Sequence, residues 1–451
     1  MRRKQHGRRA RKKKRKRECR ETTVKSVTIS HEPQFVALRR WLQQRGLSSK
    51  LLVPAHFSDT GRGLMTLQPI KADDLVISLP EKCLLTTSTV LRSYIGEYIE
   101  RWKPPVSPLL ALCAFLISER HFGQRAEWKP YIDVLPQKYT CPAYFSDEVI
   151  NLLPRSLSGK ALEQRAVVQE LHSSSLGFFS SLQPLFRQPV ESVFTYDALR
   201  WAWCSVNTRT VYMEHQHSPY MSRERNVYAL APYLDLLNHC PAVQVKASFS
   251  HVSRCYEIRS VQGCKRFQQA FICYGPHDNQ RLLLEYGFVA PGNPHSVVYV
   301  DQGTLQQCIC IRDSNQLAQK LLFLKKNDFL ALDGPSWRLM TALRLLSLRT
   351  EQYPFWKSVL LGEMVSQDRE EWSVDAALRL CHYLMVDNTR ALDKISQLTE
   401  RADASLNEQL AVVECLRREE QGILGLNQEM LQSLQKQLLP SRENSMHNLA
   451  V

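Results

Sequence analysis

The chain has 451 residues, of which 44% are hydrophobic and 23% charged, and its formal net charge is +15 at pH 7. This length and composition are typical of a globular protein with two or three structural units, and they exclude a fibrous or wholly disordered chain. The net charge suggests a nucleic-acid-binding protein, so its distribution along the chain decides the interpretation.

Most of the positive charge lies at the N-terminus. Residues 2–20 contain thirteen Lys or Arg against one acid, Glu18, so +12 of the net charge lies there and +3 on the remaining chain. Such a block repels itself and has few apolar residues to bury, which predicts a disordered basic tail over residues 1–30. Lys12 to Arg17 is typical of a nuclear-import signal, which predicts nuclear and cytoplasmic localisation; a solubilising or RNA-binding arm is the alternative.

The thirteen cysteines are scattered, odd in number and without a CxxC pair, so we expect neither a disulfide framework nor a zinc ribbon. Cys308 and Cys310 would share one face of a predicted strand, which alone is weak evidence for a metal, and we predict no metal site. The longest apolar run, Leu109 to Ile117, is too short to cross a bilayer, so no membrane partner is expected.

After the tail, apolar residues at helical spacing from Phe35 to Leu42 predict a helix that ends at Arg45-Gly46. Brief strand patterns follow at Leu64 to Leu67 and Asp74 to Pro80, within a first β-rich part at residues 31–90. Helical patterns then replace the strands, which predicts a helical insertion at residues 91–195, with its clearest helices at Ser107 to Arg120 and Ser158 to Ser181.

A second β-rich part is predicted at residues 196–290. It begins with the helical stripe Tyr196, Leu199, Trp203 and Val206, and strand patterns return at Tyr256 to Ile258 and Ala270 to Tyr274. Residues 291–314 are predicted to connect it to a helical domain at residues 315–451. That domain is indicated by two apolar stripes: Leu339, Leu343 and Leu346, and then Leu406, Leu410, Val413, Leu416, Leu424 and Leu431.

Three short motifs in these β-rich parts could carry chemistry. Gly61-Arg62-Gly63 lets backbone approach a ligand closely, Asp235-Leu236-Leu237-Asn238-His239 places an amide beside an imidazole, and Tyr274 is followed by Tyr286-Gly287-Phe288. Each has an ordinary structural interpretation when taken alone. They are a turn, a polar helix end with satisfied hydrogen bonds, and aromatic residues filling a core.

In this order, the motifs resemble the split-SET class of SET-domain methyltransferases, which includes the Rubisco large-subunit lysine methyltransferase. The resemblance covers roughly residues 35 to 435 and extends to Trp128-Lys129-Pro130-Tyr131 and Tyr274-Gly275-Pro276-His277-Asp278-Asn279. It implies an α+β chain, with a β-rich SET fold split by a helical insertion and followed by an all-helical C-terminal domain. It also implies a methyl donor, S-adenosyl-L-methionine, as cofactor.

The resemblance assigns roles to individual residues. The backbone of Thr60, Gly61 and Arg62 would contact the cofactor, and Arg209 would pair with its carboxylate. Asn238 and His239 would hold its amino group and adenine, with Asp235 supporting their segment. Tyr286, Gly287 and Phe288 would wall the cofactor and substrate channel. Tyr274 would provide the central active-site hydroxyl.

Methyl transfer from a sulfonium to lysine is an in-line displacement, which mainly requires alignment and a deprotonated amine. The lysine pKa of about 10.4 falls in an apolar channel beside a positive sulfonium, through desolvation and like-charge repulsion. No metal is needed. The Tyr274 hydroxyl would accept CH···O contacts from the methyl group and help orient the amine, without acting as a general base, because a phenol is itself protonated at neutral pH.

Two departures from the wider SET pattern concern the strand before Tyr274 and zinc. Gln268-Gln269-Ala270 stands where acidic residues often precede the catalytic strand, a departure that concerns only the local strand contacts. The cysteine-rich zinc segment that follows many histone-type SET domains is absent, as expected for the split-SET class, and this argues against bound zinc.

The leading hypothesis is therefore a protein-lysine N-methyltransferase acting on a lysine-containing protein, histone tails or non-histone proteins. One alternative is a protein-histidine methyltransferase, because a relative in the same class modifies an actin histidine. Another is a catalytically silent SET-fold binding protein that docks partners on its helical domain. The basic tail would contact nucleic acid or an import receptor.

Deleting residues 2–20 is expected to move the protein from the nucleus towards the cytoplasm without changing cofactor affinity, because the charge block lies far along the chain from the predicted site residues. Fluorescence microscopy of a tagged protein measures the distribution. A variant with the same residues in scrambled order, which keeps the charge, is the control. Unchanged nuclear localisation after the deletion would remove the import interpretation.

Overall fold

The computed structural model describes residues 26–48, 50–309, 331–332 and 337–438. They divide into two compact units. Unit 1 lies within residues 1–135 and 209–274, and unit 2 within residues 136–208 and 275–451. The helical insertion predicted at residues 91–195 is thus shared between the units, and the predicted boundaries at 195 and 290 do not coincide with theirs.

Unit 1 combines short strands with helices, as the α+β prediction expects. Its helices are α1 (Pro33–Gln44), α2 (Thr87–Leu91), α3 (Gly96–Arg101), α4 (Pro108–Phe122) and α5 (Lys129–Ile132). Its strands are β1 (Ser26–Thr28), β2 (Leu52–Phe57), β3 (Gly61–Thr66), β4 (Leu75–Pro80), β5 (Thr210–Tyr212), β6 (Tyr228–Leu230), β7 (Asn238–His239), β8 (Val245–Ser250), β9 (Cys255–Ser260) and β10 (Gln269–Ile272).

A five-stranded sheet with the order β1-β2-β3-β10-β7 forms the frame of unit 1. Neighbouring strands of this sheet are antiparallel, except that β10 and β7 run parallel to each other. In that parallel pair, Phe271 lies opposite Asn238 and Ile272 lies opposite His239. A three-stranded sheet, β4-β9-β8, and the β5-β6 pair complete the β structure among the described residues of this unit. The parallel pair joins segments that lie over thirty residues apart in the chain.

The predicted elements of unit 1 are largely confirmed, with shifted ends. The helix over residues 35–42 is α1, and Ser107 to Arg120 is α4. The strand predicted to continue to Tyr274 ends at Ile272. The tail boundary was wrong, because β1 pairs with β2 and Ile29 is only 9% exposed, so residues 26–30 belong to the folded unit. Residues 1–25 lie outside the described residues.

Unit 2 is mostly helical. Its helices are α6 (Asp147–Ile150), α7 (Arg155–Ser181), α8 (Val190–Val193), α9 (Tyr196–Arg209, whose last residue belongs to unit 1), α10 (Asn279–Tyr286), α11 (Gln302–Cys308), α12 (Trp337–Ser347), α13 (Trp356–Leu360), α14 (Gln367–Thr399) and α15 (Ala404–Leu438). Strands β11 (Val298–Tyr299) and β12 (Ala331–Leu332) form an antiparallel pair. Within the described part of residues 315–451, the chain is therefore helical apart from the two-residue strand β12.

The strand predicted around Cys308 and Cys310 was wrong. Cys308 ends the helix α11, where residues two positions apart do not share a face, and Cys310 lies outside the described residues. In the described ranges, no group of three or more His, Cys, Asp or Glu side chains is arranged to hold a metal ion. None of the described helices has the length and apolar character needed to cross a bilayer.

Helices α14 and α15 form an antiparallel pair. Gln367, at the start of α14, donates to the carbonyl of Leu438 at the end of α15 (3.1 Å), and Asn388 donates to the carbonyl of Arg417 (2.7 Å). The apolar stripes predicted for α12 and α15 are buried in unit 2, as amphipathic helices require, with Leu343, Leu346, Leu424 and Leu431 in one core cluster.

A buried polar network crosses the middle of α15. Arg417, 4% exposed, donates through Nε to the carbonyl of Leu152 (2.8 Å) and through Nη1 to Asp387 (3.1 Å). One turn further on, Glu420 accepts a hydrogen bond from Gln280 Nε2 (2.8 Å). Burial raises the pKa of Glu420 to about 7, although Arg417 and the hydrogen bond from Gln280 oppose the shift.

This pKa predicts a pH-dependent stability. The folded state keeps the Glu420 proton up to a higher pH than the unfolded chain, whose carboxyl titrates near 4.5, so stability falls as pH rises from about 4.5 to about 7. Glu420→Gln keeps a partner for Gln280 and removes the titration. The free energy of unfolding of the variant should be close to that of wild type near pH 5. Near pH 8 it should be higher than that of wild type by about 3 kcal/mol.

Differential scanning calorimetry at both pH values measures this. Glu429→Gln, at an exposed position on the same helix, is the matched control and should leave the pH dependence unchanged. If the stability difference between the Glu420 variant and wild type were the same at both pH values, Glu420 would not be the group that titrates.

Candidate active site

The candidate site begins at the turn into β3. Gly61 has φ +69°, in the left-handed region that favours glycine, and a Cβ placed there would meet no atom within 4 Å. The backbone at this position is thus open to a ligand. Gly63, two residues on, faces the interior, where an added Cβ would lie 3.0 Å from Asn238 Nδ2 and 3.2 Å from the Phe57 ring.

The Asn238 amide lies directly across from β3. Its Nδ2 donates to the carbonyl of Arg62 (3.0 Å) and towards Oε1 of Gln269 (3.3 Å). Because both bonds use the amide hydrogens, the direction of the side chain is set and its oxygen serves as the acceptor. The structure thereby brings together two of the three motifs, Gly61-Arg62-Gly63 and Asn238-His239.

Gln269 links these motifs, and sequence reasoning did not assign it to the site. It is 8% exposed on β10, its Nε2 donates to the Thr60 hydroxyl (2.7 Å), and its Oε1 receives the Asn238 amide. The available signal was the departure at Gln268-Gln269-Ala270 from the acidic pattern. A neutral amide can donate and accept at once, which a carboxylate cannot.

The parallel pairing of β7 and β10 places His239 beside Tyr274. The backbone N–H of Tyr274 donates to Nδ1 of His239 (3.0 Å), and the two ring centroids are 5.2 Å apart. Since Nδ1 accepts, the neutral imidazole carries its hydrogen on Nε2. The Tyr274 hydroxyl donates to the carbonyl of Leu237 (2.7 Å), so its proton is committed and its oxygen presents acceptor lone pairs.

Asp235 anchors the segment that leads to Asn238. Its side chain is 1% exposed and its Oδ2 accepts hydrogen bonds from Tyr131 (2.9 Å) and from Arg209 Nη1 (3.1 Å). Arg209 also donates to the Asp235 carbonyl (3.1 Å). Burial raises the pKa of Asp235, and the Arg209 charge and the two hydrogen bonds oppose this rise. Asp235 thus supports this segment, and the Arg209 guanidinium is joined to it.

The pairing of Arg209 with a cofactor carboxylate stays a prediction, as do the cofactor contacts of Thr60, Gly61, Arg62, Asn238 and His239. Tyr131, which sequence reasoning quoted only within a family motif, is buried and holds Asp235. Three hydrogen-bonded groups, around Asp235, Asn238 and Tyr274, are thus joined in unit 1 through the chain segment 235–239.

The three remaining site residues lie in unit 2, at the end of α10. Gly287 caps this helix with φ +78°, and a Cβ there would lie 2.9 Å from the backbone N of Cys141. Its carbonyl accepts a hydrogen bond from the Thr140 hydroxyl (2.5 Å). The Tyr286 ring centroid is 6.1 Å from that of His277 and 6.3 Å from that of Phe288, so these rings form an aromatic cluster.

The site in unit 1 suits a cationic, methyl-bearing ligand without a metal. The groups it presents, the Tyr274 oxygen, the Asn238 amide oxygen and the open backbone at Gly61, are neutral acceptors and accessible main chain. Neutral oxygens accept CH···O contacts from a polarised methyl group. The buried carboxylate, Asp235, is offset by Arg209. The predicted S-adenosylmethionine therefore fits the residues present.

Comparison with known proteins agrees with this geometry. Residues 61–275 match the family model of the SET domain, and residues 312–424 match the model described as Rubisco LSMT substrate-binding. A solved structure described as the SET domain of LSMT bound to lysine and AdoHcy has a TM-score of 0.55 at 20% identity, covering 91% of this chain and 93% of that one. The chain therefore has the SET methyltransferase fold.

Two curated relatives define the relationship further. SET domain-containing protein 4 of Homo sapiens is 50% identical over 422 residues, 92% of this chain and 96% of the relative. The actin-histidine N-methyltransferase of Drosophila melanogaster is 27% identical over 343 residues, 72% of this chain and 62% of the relative. The chain belongs to the SET domain-containing protein 4 family.

Gln269→Met should loosen the site, because methionine keeps the length of the side chain and removes both hydrogen-bonding ends. Losing the bonds to Thr60 and Asn238 is expected to cost about 1–3 kcal/mol of stability. Backbone amides of residues 60–63 should exchange with deuterium faster, which mass spectrometry measures.

Gln269→Glu is the matched control for this change. Its carboxylate still accepts from Asn238 and from the Thr60 hydroxyl, so exchange should remain closer to wild type. Equal protection of residues 60–63 in the methionine variant and wild type would show that Gln269 does not organise this segment.

Proposed function

We propose that the protein is a protein-lysine N-methyltransferase that uses S-adenosyl-L-methionine. The main support is the arrangement of Tyr274. Its hydroxyl donates a hydrogen bond to the Leu237 carbonyl, and its backbone N–H donates to Nδ1 of His239. The phenol oxygen is thereby held as an acceptor at a defined position, which alignment of an amine and a methyl group requires.

When bound, S-adenosylmethionine supplies a methyl group on a positively charged sulfur. The chain would hold it with the open backbone at Gly61, the oriented amide of Asn238 and the segment of His239. The similar LSMT structure is of a SET domain bound to lysine and AdoHcy, the form that the cofactor takes after losing its methyl group, and this supports both the cofactor and the acceptor.

The amine must be deprotonated before it attacks. A lysine entering an apolar channel loses hydration that favours its ammonium form, and a neighbouring sulfonium disfavours it further. Tyr274 needs only to orient the neutral amine, since its hydroxyl proton is donated to Leu237. We assign the proton itself to solvent before transfer.

A histidine acceptor is the second candidate, and the 27% identity to an actin-histidine N-methyltransferase favours it. The two candidates differ in product. Incubation of cell extract with labelled S-adenosylmethionine, followed by mass spectrometry of the labelled peptides, distinguishes methyl-lysine from methyl-histidine. A silent binding protein would take up no cofactor in a calorimetric titration.

We also propose protein substrates that include histone tails, and localisation in the nucleus and cytoplasm. The support is the basic segment at residues 2–20, whose net charge of +12 suits an import receptor or nucleic acid. Localisation of the tagged full-length protein tests the compartment, and the mass-spectrometric identification tests the substrate.

Tyr274→Phe should preserve the fold and slow methyl transfer by about 100-fold or more, because the ring remains and the aligning oxygen is lost. Single-turnover assays measure the chemical step without interference from product release.

Tyr233→Phe is the matched control. Its hydroxyl, like that of Tyr274, donates to a main-chain carbonyl, that of Leu52 (2.7 Å), so the same chemical change is made outside the proposed site. It should reduce stability and leave the single-turnover rate near wild type. A Tyr274→Phe variant that transfers methyl groups at the wild-type rate would refute the proposed role.

A further inference from the structure

Unit 2 contains a groove of about 720 Å³ whose lining includes none of the residues proposed for methyl transfer. One face of α14 and one face of α15 form its long sides, and α11 and the first residue of α7 contribute to its lining. Helix α14 and part of α15 fall within residues 312–424, the region that matches a substrate-binding family model.

Three arginines line this groove: Arg155, Arg379 and Arg390. All three are exposed, and in the described part of the chain none of them forms an ion pair. The other arginines of α14 and α15 are paired: Arg369 with Asp368, Arg417 with Asp387 and Arg418 with Glu414. The groove therefore carries guanidinium charge that is not neutralised.

The single acidic side chain among the lining residues, Asp387, is bound by Arg417 Nη1 (3.1 Å). Two glutamines of α15, Gln428 and Gln432, add amide groups one turn apart, which can bind the backbone of a peptide. A third, Gln435, donates through Nε2 to Asp375 (2.7 Å). Leu378, Val386 and the Tyr383 ring supply an apolar surface between the charges.

The spacing of the charges limits the ligand. Arg379 and Arg390 are eleven residues apart on α14, which is about 16 Å along the helix axis. A single phosphate or carboxylate cannot contact both. An extended peptide rises about 3.3 Å per residue, so a segment of about six residues carries acidic side chains across this distance.

The chain's own segments outside the described residues do not match this charge. Residues 310–330 contain four Lys or Arg against two Asp, residues 439–451 contain one Arg and one Glu, and residues 2–20 carry +12. A nucleic acid would prefer a longer uninterrupted basic stripe without an aspartate in its wall. Arginine binds carboxylates through paired N–H groups, which favours an acidic peptide.

We infer that this groove binds an extended acidic segment of a protein partner, with Arg379 and Arg390 holding its carboxylates. That the partner is the methylation substrate rests on the proposed function. The groove would then select proteins that carry an acidic segment besides the methylated side chain, so recognition and chemistry would use different residues of the chain.

The test uses the full-length protein and a fluorescein-labelled peptide, Gly-Glu-Leu-Asp-Glu-Leu-Asp-Glu, with a counterpart in which every acid is replaced by lysine. Fluorescence anisotropy should show binding of the acidic peptide only. Raising salt from about 50 mM to about 300 mM should weaken it at least tenfold, because exposed charges are screened.

The double variant Arg379→Gln, Arg390→Gln should bind the acidic peptide at least about tenfold more weakly. Arg418→Gln, an exposed arginine of α15 that does not line the groove, is the matched control and should bind like wild type. The charge-reversed variant Arg379→Glu, Arg390→Glu should instead bind the lysine peptide. Thermal melting checks that each variant is folded.

The inference is overturned if the Kd of wild type for the acidic peptide is above about 1 mM, which is the range of weak association. It is also overturned if the glutamine double variant binds the peptide as tightly as wild type does. It is also overturned if a labelled ten-nucleotide oligouridine binds through the same arginines and the acidic peptide does not. Calorimetric titration with S-adenosylmethionine separates the two proposals. Absent cofactor binding refutes the methyltransferase, whereas a cofactor-binding protein with an inert groove refutes only this inference.

Discussion

The parallel pairing of β7 with β10 is the constraint on which the candidate active site depends. It sets Phe271 opposite Asn238 and Ile272 opposite His239. One residue of slippage would turn each side chain to the other face of the sheet, because the side-chain period of a strand is two. The bond from the Tyr274 N–H to His239 and the placement of Asn238 against Arg62 both follow from this register.

Buried acids in both units are stabilised by specific partners. Asp235 is held by Arg209 and Tyr131, and Glu420 is bonded by Gln280 near Arg417. In each case burial raises the pKa of the carboxyl and a neighbouring cation opposes the rise. Removing one partner from such a set costs more than the pair contributes, since it leaves an uncompensated polar group.

The neutral character of the site is consistent with the proposed cofactor. Gln269 stands where an acid is common in the wider family and joins Thr60 to Asn238 with both ends of its amide. Charge is concentrated elsewhere, in residues 2–20 and in the groove arginines, which form no ion pair among the residues that the structure describes. Alignment in the proposed active site thus depends on hydrogen-bond geometry. Recognition in the arginine-lined groove would depend on long-range electrostatics.

The sequence by itself determined the fold class, most helices and the motifs of the site, because helical periodicity, glycine spacing and the Asn-His pair are local signals. Only the tertiary structure decided that Gln269 joins Thr60 to Asn238, that Tyr131 and Arg209 hold Asp235, and that three arginines share a groove. These contacts join residues far apart in the chain, where no spacing rule applies. The strand expected at Cys308 was a helix, since short apolar runs fit both states until packing selects one.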